Sequence, residues 1–490
     1  MPLSGDINID DVENLKEKTA KGLFWGFVNN SSSQLLNLAL GIFLARSLVP
    51  ADYGIVGVLA IFTAVAVIFQ NSGFLQGLVN LKEPQDNDYN AVFWFSLGVS
   101  FGFYVLLFFG APLIADFFHQ PCLVVVSRVL FLVLPIYAFG MSYAAYMIKN
   151  MMNREIAVIG IISMAVAGTV AVVMARCGFS YWSLVANQIL YAFVYNIGRC
   201  YIVRWHPSFK IDFGPVRRMF GFSSKLLVTQ LFGVLNQQLL TFVLGRFFSI
   251  NSVGFYTQAN KWSSMARATI SGAVGQVAQP VFVSISDERE REIMVLRKLV
   301  RFTAFFCFPA MFGLALVANE FILLLLGAKW AGSVLLLQIL CIGGAFIPLY
   351  EVYQNFLMSN GRSDVYMWGN IAQMVILLAT ILLIYRQGIV AVVCASSVCS
   401  VCWLFIWQFI CCRFIGGRFL DFVKDVIPFM LLSLLVMGVV YILTMGVSNL
   451  WLALFLRIVM AASLYFVIMK FAQAKILEEC INFVRRKRKA

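Results

Sequence analysis

Two consecutive segments of the sequence carry polar side chains at the spacing of one helical face. On the first segment, the polar face consists of Ser223, Gln230, Gly233, Gln237 and Thr241. On the second, it consists of Asn260, Ser263, Ser264, Arg267, Ser271 and Gly275, with Lys261 at its border. Arginine suits phosphate oxygens and lysine supplies a point charge, whereas amides and hydroxyls can hydrogen-bond to sugars. The two faces therefore predict a hydrated cavity that receives an anionic ligand.

Arg267 has two interpretations. A cation near the centre of a bilayer costs about 3 kcal/mol, so this side chain must face protein, water or an anion. It is either a structural donor to carbonyls inside a helix bundle or the group that binds the ligand's charge. Glu351 also has two interpretations, because it is either a proton or sodium site or an ion-pair partner of Lys225 or Lys261.

The same pattern occurs about 200 residues earlier, which indicates an internal duplication. Leu44-Ala45-Arg46 aligns with Leu244-Gly245-Arg246. The earlier polar face includes Asn30, Gln34 and Asn37, of which Asn30 aligns with Gln230 and Asn37 with Gln237. Repeats of spanning helices place the substrate site between the copies. We therefore predict that Asn37 and Gln237 face one shared aqueous cavity.

The cations of this predicted cavity occur only in the second copy. Lys261 aligns with Ile61, and Arg267 aligns with Val67. The second copy is therefore expected to hold the charge of the ligand.

Composition indicates a protein that crosses the membrane many times. The 490 residues are 61% hydrophobic and 12% charged, about half the charge of a soluble protein. The net charge of +14 lies mainly in short loops and the tail, so it indicates membrane orientation rather than nucleic acid. The two His residues, and eleven Cys residues mostly in apolar helices, argue against a metal site. Apolar runs predict about fourteen spans, at 22–45, 53–79, 91–115, 122–148, 156–176, 180–203, 219–247, 253–283, 299–318, 333–358, 365–385, 389–411, 426–446 and 450–470.

The distribution of Lys and Arg predicts that both termini are cytoplasmic. Six spans precede the polar stretch before Pro215, so two copies of six helices enter from the same side and are related by an axis along the membrane normal. The predicted domains are a cytoplasmic N-terminal segment (1–20), an N-terminal lobe (21–204), a cytoplasmic linker (205–217), a C-terminal lobe (218–413), an additional helix pair (414–472) and a basic cytoplasmic tail (473–490).

Three motifs resemble those of one transporter family. They are Arg46-Ser-Leu-Val-Pro-Ala-Asp-Tyr-Gly54, Val253-Gly-Phe-Tyr-Thr-Gln-Ala-Asn-Lys-Trp262 and Met358-Ser-Asn-Gly-Arg362. On these motifs the chain resembles the Wzx-type flippases of the polysaccharide-synthesis transporter family, in the multidrug/oligosaccharidyl-lipid/polysaccharide (MOP) exporter superfamily. The resemblance covers essentially the whole chain. It implies an all-α polytopic membrane protein with two pseudo-symmetric six-helix lobes around a central cavity, plus a C-terminal helix pair that helps to hold a lipid tail.

The resemblance also implies the function. It implies that the substrate is an oligosaccharide on polyprenyl pyrophosphate, moved across the bacterial cytoplasmic (inner) membrane for capsule, exopolysaccharide or O-antigen (lipopolysaccharide) synthesis by alternating access. No cofactor is expected, and transport is coupled to protons or sodium. The partners are membrane lipids and other polysaccharide assembly proteins. Arg267 is expected to match a cavity arginine on the eighth helix of the related lipid-linked cell-wall precursor flippases. The predicted substrate-binding residues are Arg267, Lys261, Asn260, Ser264, Ser271, Gln230, Gln237, Asn30, Gln34 and Asn37, with Glu351 as the ion-coupling candidate.

Two other functions compete with this one. A cation-coupled multidrug exporter of the same superfamily should have carboxylates in its N-terminal lobe, but no Asp or Glu lies between Lys21 and Arg46. A membrane polymerase or glycosyltransferase should have a sizeable outer loop with carboxylates or His, whereas every predicted outer loop is short. The sequence therefore favours a transporter rather than an enzyme.

Overall fold

A computed structural model describes residue 25 and residues 32–71, 74–285 and 288–471, and every regular element in these ranges is helical. In chain order the α-helices are α1 (32–47), α2 (Pro50–Asn71), α3 (Phe74–Asn80), α4 (Asp86–Phe118), α5 (Leu123–Leu130), α6 (Val133–Phe139), α7 (Met141–Lys149), α8 (Asn153–Arg176), α9 (Trp182–Ile202), α10 (Gly214–Phe247), α11 (Ile250–Ser284), α12 (Arg289–Phe321), α13 (Gly332–Gly344), α14 (Ile347–Ser359), α15 (Ser363–Ile384), α16 (Ile389–Ile415), α17 (Phe419–Leu443) and α18 (Leu450–Phe471).

These helices coincide with the spans predicted from hydropathy. Within the described ranges, nine helices are long and apolar enough to cross a membrane, and a bent pair within 123–149 makes a tenth if it forms one span. The other predicted spans correspond to α1, α9, α10 and α11. The last two, α10 and α11, are 34 and 35 residues long, which is enough to cross a membrane. They are left out of the nine because their described residues are too polar, not because the helices are too short. The prediction of an all-α polytopic membrane protein is confirmed.

The chain divides into two compact units, Met1–Gln238 and Leu239–Ala490. In the first unit, α8 and α9 form an extensive helix pair, α4 packs on α5 and α6, and α6 packs on α9. In the second unit, α15 packs on α16, α12 packs on α13 and α14, and α13 packs on α16. Each unit thus repeats the same order of neighbours among its third to sixth spans. The two copies that the sequence alignment indicates therefore also have the same helix neighbours in the structure.

The fourth span of the first unit is broken, although its hydropathy predicts one continuous helix. The chain bends by 42° between the segments Leu123–Phe139 and Met141–Lys149. Gly140 lies at this bend, where an added Cβ would be 1.6 Å from Oδ1 of Asn196 on α9. The Asn196 amide also donates to the carbonyl of Ile136 at 2.6 Å. The bend is therefore secured by a polar side chain of the sixth span.

The second unit has an equivalent contact. A Cβ on Gly343, near the end of α13, would be 2.6 Å from Cα of Ser397 on α16. Ser397 donates to the carbonyl of Ile339 at 3.0 Å, just as Asn196 donates to a carbonyl one turn before its glycine. This pair of contacts supports the two-fold repeat independently of the sequence alignment.

The additional helix pair, α17 and α18, packs on α12 in the second unit. Near one end of α12, Glu320 forms a buried ion pair with Arg457 of α18. Near the other end, Arg297 contacts Asp425 of α17 at 2.6 Å. Arg457, a cation within a predicted span, is therefore paired inside the protein.

Candidate functional site

A ladder of polar side chains runs along α11. Nη2 of Arg267 donates to Oγ of Ser264 at 3.1 Å. Ser264, one turn earlier, donates in turn to Oδ1 of Asn260 at 3.4 Å. All three side chains are partly buried. The structure therefore brings together three of the predicted ligand-binding residues and orients the guanidinium through neighbours on its own helix.

Glu351, on α14, is close to the C-terminal side of this ladder. Its carboxylate interacts electrostatically with Arg267, and the hydroxyl of Ser271 faces it without closing a hydrogen bond of standard geometry. Arg267 and Glu351 do not form a direct ion pair. The guanidinium is thus near a counter-charge but keeps donors that are not taken by a carboxylate.

Further polar groups surround Glu351, and the sequence analysis did not identify them. Tyr350 lies beside Glu351 and within hydrogen-bonding reach of Gln373 on α15. Tyr366 is also near Glu351 and is paired with Asn370. Asn370 and Gln373 are buried, although their helix is apolar enough to span a membrane. Their spacing of three residues on one helix face was the signal that could have revealed them.

Lys261 lies apart from the ladder. Its side chain is partly buried, and its Nζ is 5.6 Å from the centre of the Trp262 ring. Among the side chains that the structure describes, no carboxylate pairs with it. Glu351 therefore has Arg267, and not Lys261, as its charged neighbour in this structure.

The remaining predicted residues belong to the first unit. Asn37 on α1 is exposed, and Gln34 is partly buried. Gln230 and Gln237 on α10 are both exposed. Asn30 and the side chain of Lys225 lie outside the described part of the chain. The assignment of these residues to a substrate site stays a prediction.

The structure gives a local role to the acid of the first motif. Asp52 is buried, and its Oδ2 accepts from the backbone N–H of Val49 at 2.9 Å, where α2 begins. Its Oδ1 accepts from the hydroxyl of Ser180, a residue with φ of +48° before α9. In the second copy, Ser249 caps α11 by accepting from the N–H of Ser252. Asp52 therefore holds the turn before α2 in place through these two hydrogen bonds.

Comparisons with known proteins agree with this architecture. A family model described as "Polysaccharide biosynthesis protein" matches residues 43–335. The chain is 25% identical over 344 residues to the succinoglycan biosynthesis transport protein ExoT of Rhizobium meliloti, covering 70% of each chain. It is 25% identical over 357 residues to the lipopolysaccharide biosynthesis protein WzxC of Escherichia coli, covering 72% of each. It is also 25% identical to the teichuronic acid biosynthesis protein TuaB of Bacillus subtilis, over 70% of each.

Solved structures show the same fold at low sequence identity. An inward closed structure of the lipid II flippase MurJ has a TM-score of 0.73 at 15% identity, covering 93% of this chain and all of that one. An inward-facing multidrug resistance MATE transporter of the MOP superfamily has a TM-score of 0.64 at 14% identity, covering 78% and 94%. These likenesses establish the fold, whereas the chemistry must be argued from the residues of this chain.

Proposed function

This chain belongs to the family of polysaccharide biosynthesis proteins, and on that premise we propose that it moves polyprenyl-pyrophosphate-linked oligosaccharides across the bacterial cytoplasmic membrane. The relatives that it matches over most of their length include the succinoglycan biosynthesis transport protein ExoT and the lipopolysaccharide biosynthesis protein WzxC. The chain is therefore a transporter and not an enzyme. Export serves a surface polysaccharide, and both termini are cytoplasmic, as the distribution of Lys and Arg indicates.

The observation that carries this proposal is the environment of Arg267. A pyrophosphate that leaves water needs donors that replace its hydration, and a planar guanidinium supplies them in a fork. Ser264 orients the Arg267 side chain, and no carboxylate in the described part of the chain is in direct contact with it. Asn260 and Ser264 add the amide and hydroxyl groups that sugars can hydrogen-bond to.

Glu351 is the proposed site of coupling to protons or sodium ions. Its carboxylate is within electrostatic range of Arg267. Loading or unloading a cation at Glu351 changes the charge beside Arg267, and therefore changes the affinity of Arg267 for an anion. Glu351→Gln removes this variable charge, so we expect transport that no longer responds to the ion gradient.

The test of the site is the flipping activity of Arg267→Ala. In cells or vesicles, the lipid-linked oligosaccharide on each face of the membrane is measured together with the amount of inserted protein. Loss of a contact to a desolvated charge costs about 2–5 kcal/mol, so flipping should fall at least tenfold while abundance is unchanged. Arg267→Lys keeps the charge without the fork and should retain partial activity. Lys261→Ala should be milder.

Arg386→Gln is the matched control, because Arg386 lies in an exposed turn and contacts the hydroxyl of Tyr385. If Arg267 is only a structural residue, Arg267→Ala lowers abundance or thermal stability and the surviving protein still transports. Normal abundance with normal flipping would refute the site.

A multidrug exporter is the second candidate, because the fold includes such transporters. Cationic drugs call for buried carboxylates that are free to bind them. In the described part of α1 and α2 the acid is Asp52, which is used to fix a turn. A transport assay with cationic dyes should therefore show no activity above background.

A further inference from the structure

The segment between α9 and α10 is fixed against α4. The indole N–H of Trp94 donates to the carbonyl of Ser208 at 2.8 Å. The Asn90 side chain donates to the carbonyl of Lys210 at 2.6 Å and accepts from the N–H of Ser208 at 2.9 Å. Asn87 donates to Asp212 at 3.0 Å. The predicted linker therefore has a defined shape against the N-terminal part of α4.

A cleft of about 520 Å³ opens beside this segment, within the first unit. That volume is within the range of small-molecule sites. Its lining consists of Phe95, Phe213, Val216, Arg217, Phe220 and Gly221. Phe213 and Phe220 are 50% and 54% exposed. Aromatic contacts hold the wall in place, because the ring of Phe95 is 6.5 Å from that of Phe213 and 4.8 Å from that of buried Phe74.

No described residue neutralises the cation in this cleft, Arg217. The neighbouring Arg218 pairs with Asp88 at 3.3 Å. Asp212 lies next to Arg218 as well, and hydrogen bonds from the N–H of Gly214 and the amide of Asn87 hold the pKa of Asp212 below its usual range. In contrast, the exposed guanidinium of Arg217 has no ion pair or hydrogen bond with any described residue. The nearby carboxylates of Asp88 and Asp212 thus interact with Arg218. The guanidinium of Arg217 can therefore bind an external anion.

The cleft has the features of a site at the level of lipid headgroups. Trp and Tyr residues concentrate at membrane–water interfaces, and Trp94, Tyr89 and Trp205 surround this end of α4. The charged residues Asp86, Asp88 and Arg218 follow directly at the same end. Basic pockets between helices on the cytoplasmic side bind the headgroups of anionic lipids. The Lys and Arg distribution places this linker in the cytoplasm.

We propose that the cleft between α4, the linker and the start of α10 binds one anionic phospholipid of the inner leaflet. The phosphate pairs with Arg217, and an acyl chain lies on the phenyl rings of Phe95, Phe213 and Phe220. None of the residues that line the cleft is among those of α11 and α14 that are proposed to handle the transported substrate. Its occupancy would make the first unit sensitive to the charge of the surrounding lipid.

The experiment measures lipid retention on the purified full-length protein by native mass spectrometry. The protein is first reconstituted into vesicles that contain phosphatidylethanolamine mixed with either phosphatidylglycerol or phosphatidylcholine. It is then extracted into detergent, and the lipids that remain bound to it are identified. The protein is expected to retain one phosphatidylglycerol in preference to phosphatidylcholine. Arg217→Gln should reduce phosphatidylglycerol retention about fivefold and reduce phosphatidylcholine retention less, because the choline ammonium already offsets the charge of its phosphate. Arg204→Gln is the matched control, since Arg204 is exposed near the linker but does not line the cleft.

A second variant tests the shape of the cleft without changing its charge. A Cβ on Gly221 meets no atom within 4 Å, so Gly221→Phe fills the space while Gly221→Ala leaves most of it open. Gly221→Phe should reduce the retention of both lipids, and Gly221→Ala should not. Equal losses in Arg217→Gln and Arg204→Gln would refute the site, because they would indicate general surface charge. Displacement of the lipid by millimolar inorganic phosphate would also refute it, in favour of a simple anion site.

Discussion

Arg457→Met is the change whose effect on folding can be worked out most directly. Nη1 of Arg457 is 2.7 Å from Oε2 of Glu320, and the two side chains are only 10% and 5% exposed. The guanidinium also donates to the hydroxyl of Thr444 at 3.1 Å and to the carbonyl of Leu316 at 3.3 Å. Methionine preserves the apolar stem but leaves the Glu320 carboxylate buried without its cation. Removal of one partner of a buried ion pair costs about 3–5 kcal/mol, and we expect the free energy of unfolding to fall by that amount.

The other variants of this pair test where that cost comes from. Glu320→Gln keeps a carbonyl acceptor but leaves the buried guanidinium of Arg457 without its counter-charge, so a cost of about 3–5 kcal/mol is expected here as well. In the double variant Arg457→Met/Glu320→Gln no buried charge is left unpaired. It should therefore be no less stable than Arg457→Met alone, and the two changes should be strongly non-additive.

The assay is equilibrium unfolding of the purified protein in detergent, with all three variants compared at one pH and salt concentration. Since α17 and α18 pack on α12, the loss should appear in the cooperative transition that reports on the second unit. Tyr465→Phe is a useful comparison, because it removes a single hydrogen bond from α18 to the carbonyl of Phe305 and should cost only about 1 kcal/mol. The reasoning is refuted if Arg457→Met is as stable as Tyr465→Phe, or if the double variant shows simple additivity.

Three further predictions concern orientation, water access and the first motif. In a Cys-depleted protein in intact cells, an impermeant thiol reagent should label a cysteine at Lys329 but not one at Arg289, and the reverse result would overturn the orientation. Cysteines placed singly at Asn37 or Gln237 should react with soluble reagents, because both residues lie on the predicted polar faces, and lack of reaction at both would count against a hydrated cavity. Asp52→Ala should lower the free energy of unfolding by about 1–3 kcal/mol, as measured by thermal denaturation, because the N–H of Val49 and the hydroxyl of Ser180 lose their charged acceptor, and unchanged stability would exclude a role in fixing this turn.

The two units share the order in which their helices pack, but their second spans differ in polarity and charge. α2 is among the helices apolar enough to span a membrane, whereas its counterpart α11 is not. Val67 occupies the position that corresponds to Arg267. The second unit thus carries a cation on its second span at a position where the first unit has a valine.

The sequence alone determined the number and order of the spans, the duplication and the polar face of α11. Each of these is a local property, because hydropathy and a period of 3.6 residues can be read without knowledge of neighbouring helices. It also singled out Arg267, since a cation in an apolar chain needs a special environment wherever the helix packs. Arg267 and Ser264 are one turn apart on a single helix, which is why their contact followed the predicted face.

The tertiary structure decided which distant residues meet. The fourth span bends at Gly140, where Asn196 of another helix occupies the space that a side chain would need. Among the described side chains, Glu351 has Arg267 as a charged neighbour, and Lys261, one of the two partners that the sequence suggested, does not pair with it. The pairing of Glu320 with Arg457 joins residues in helices far apart along the chain. Hydropathy records how much a residue prefers lipid, but it does not record which helix lies beside it, and that choice depends on how complementary surfaces fit together.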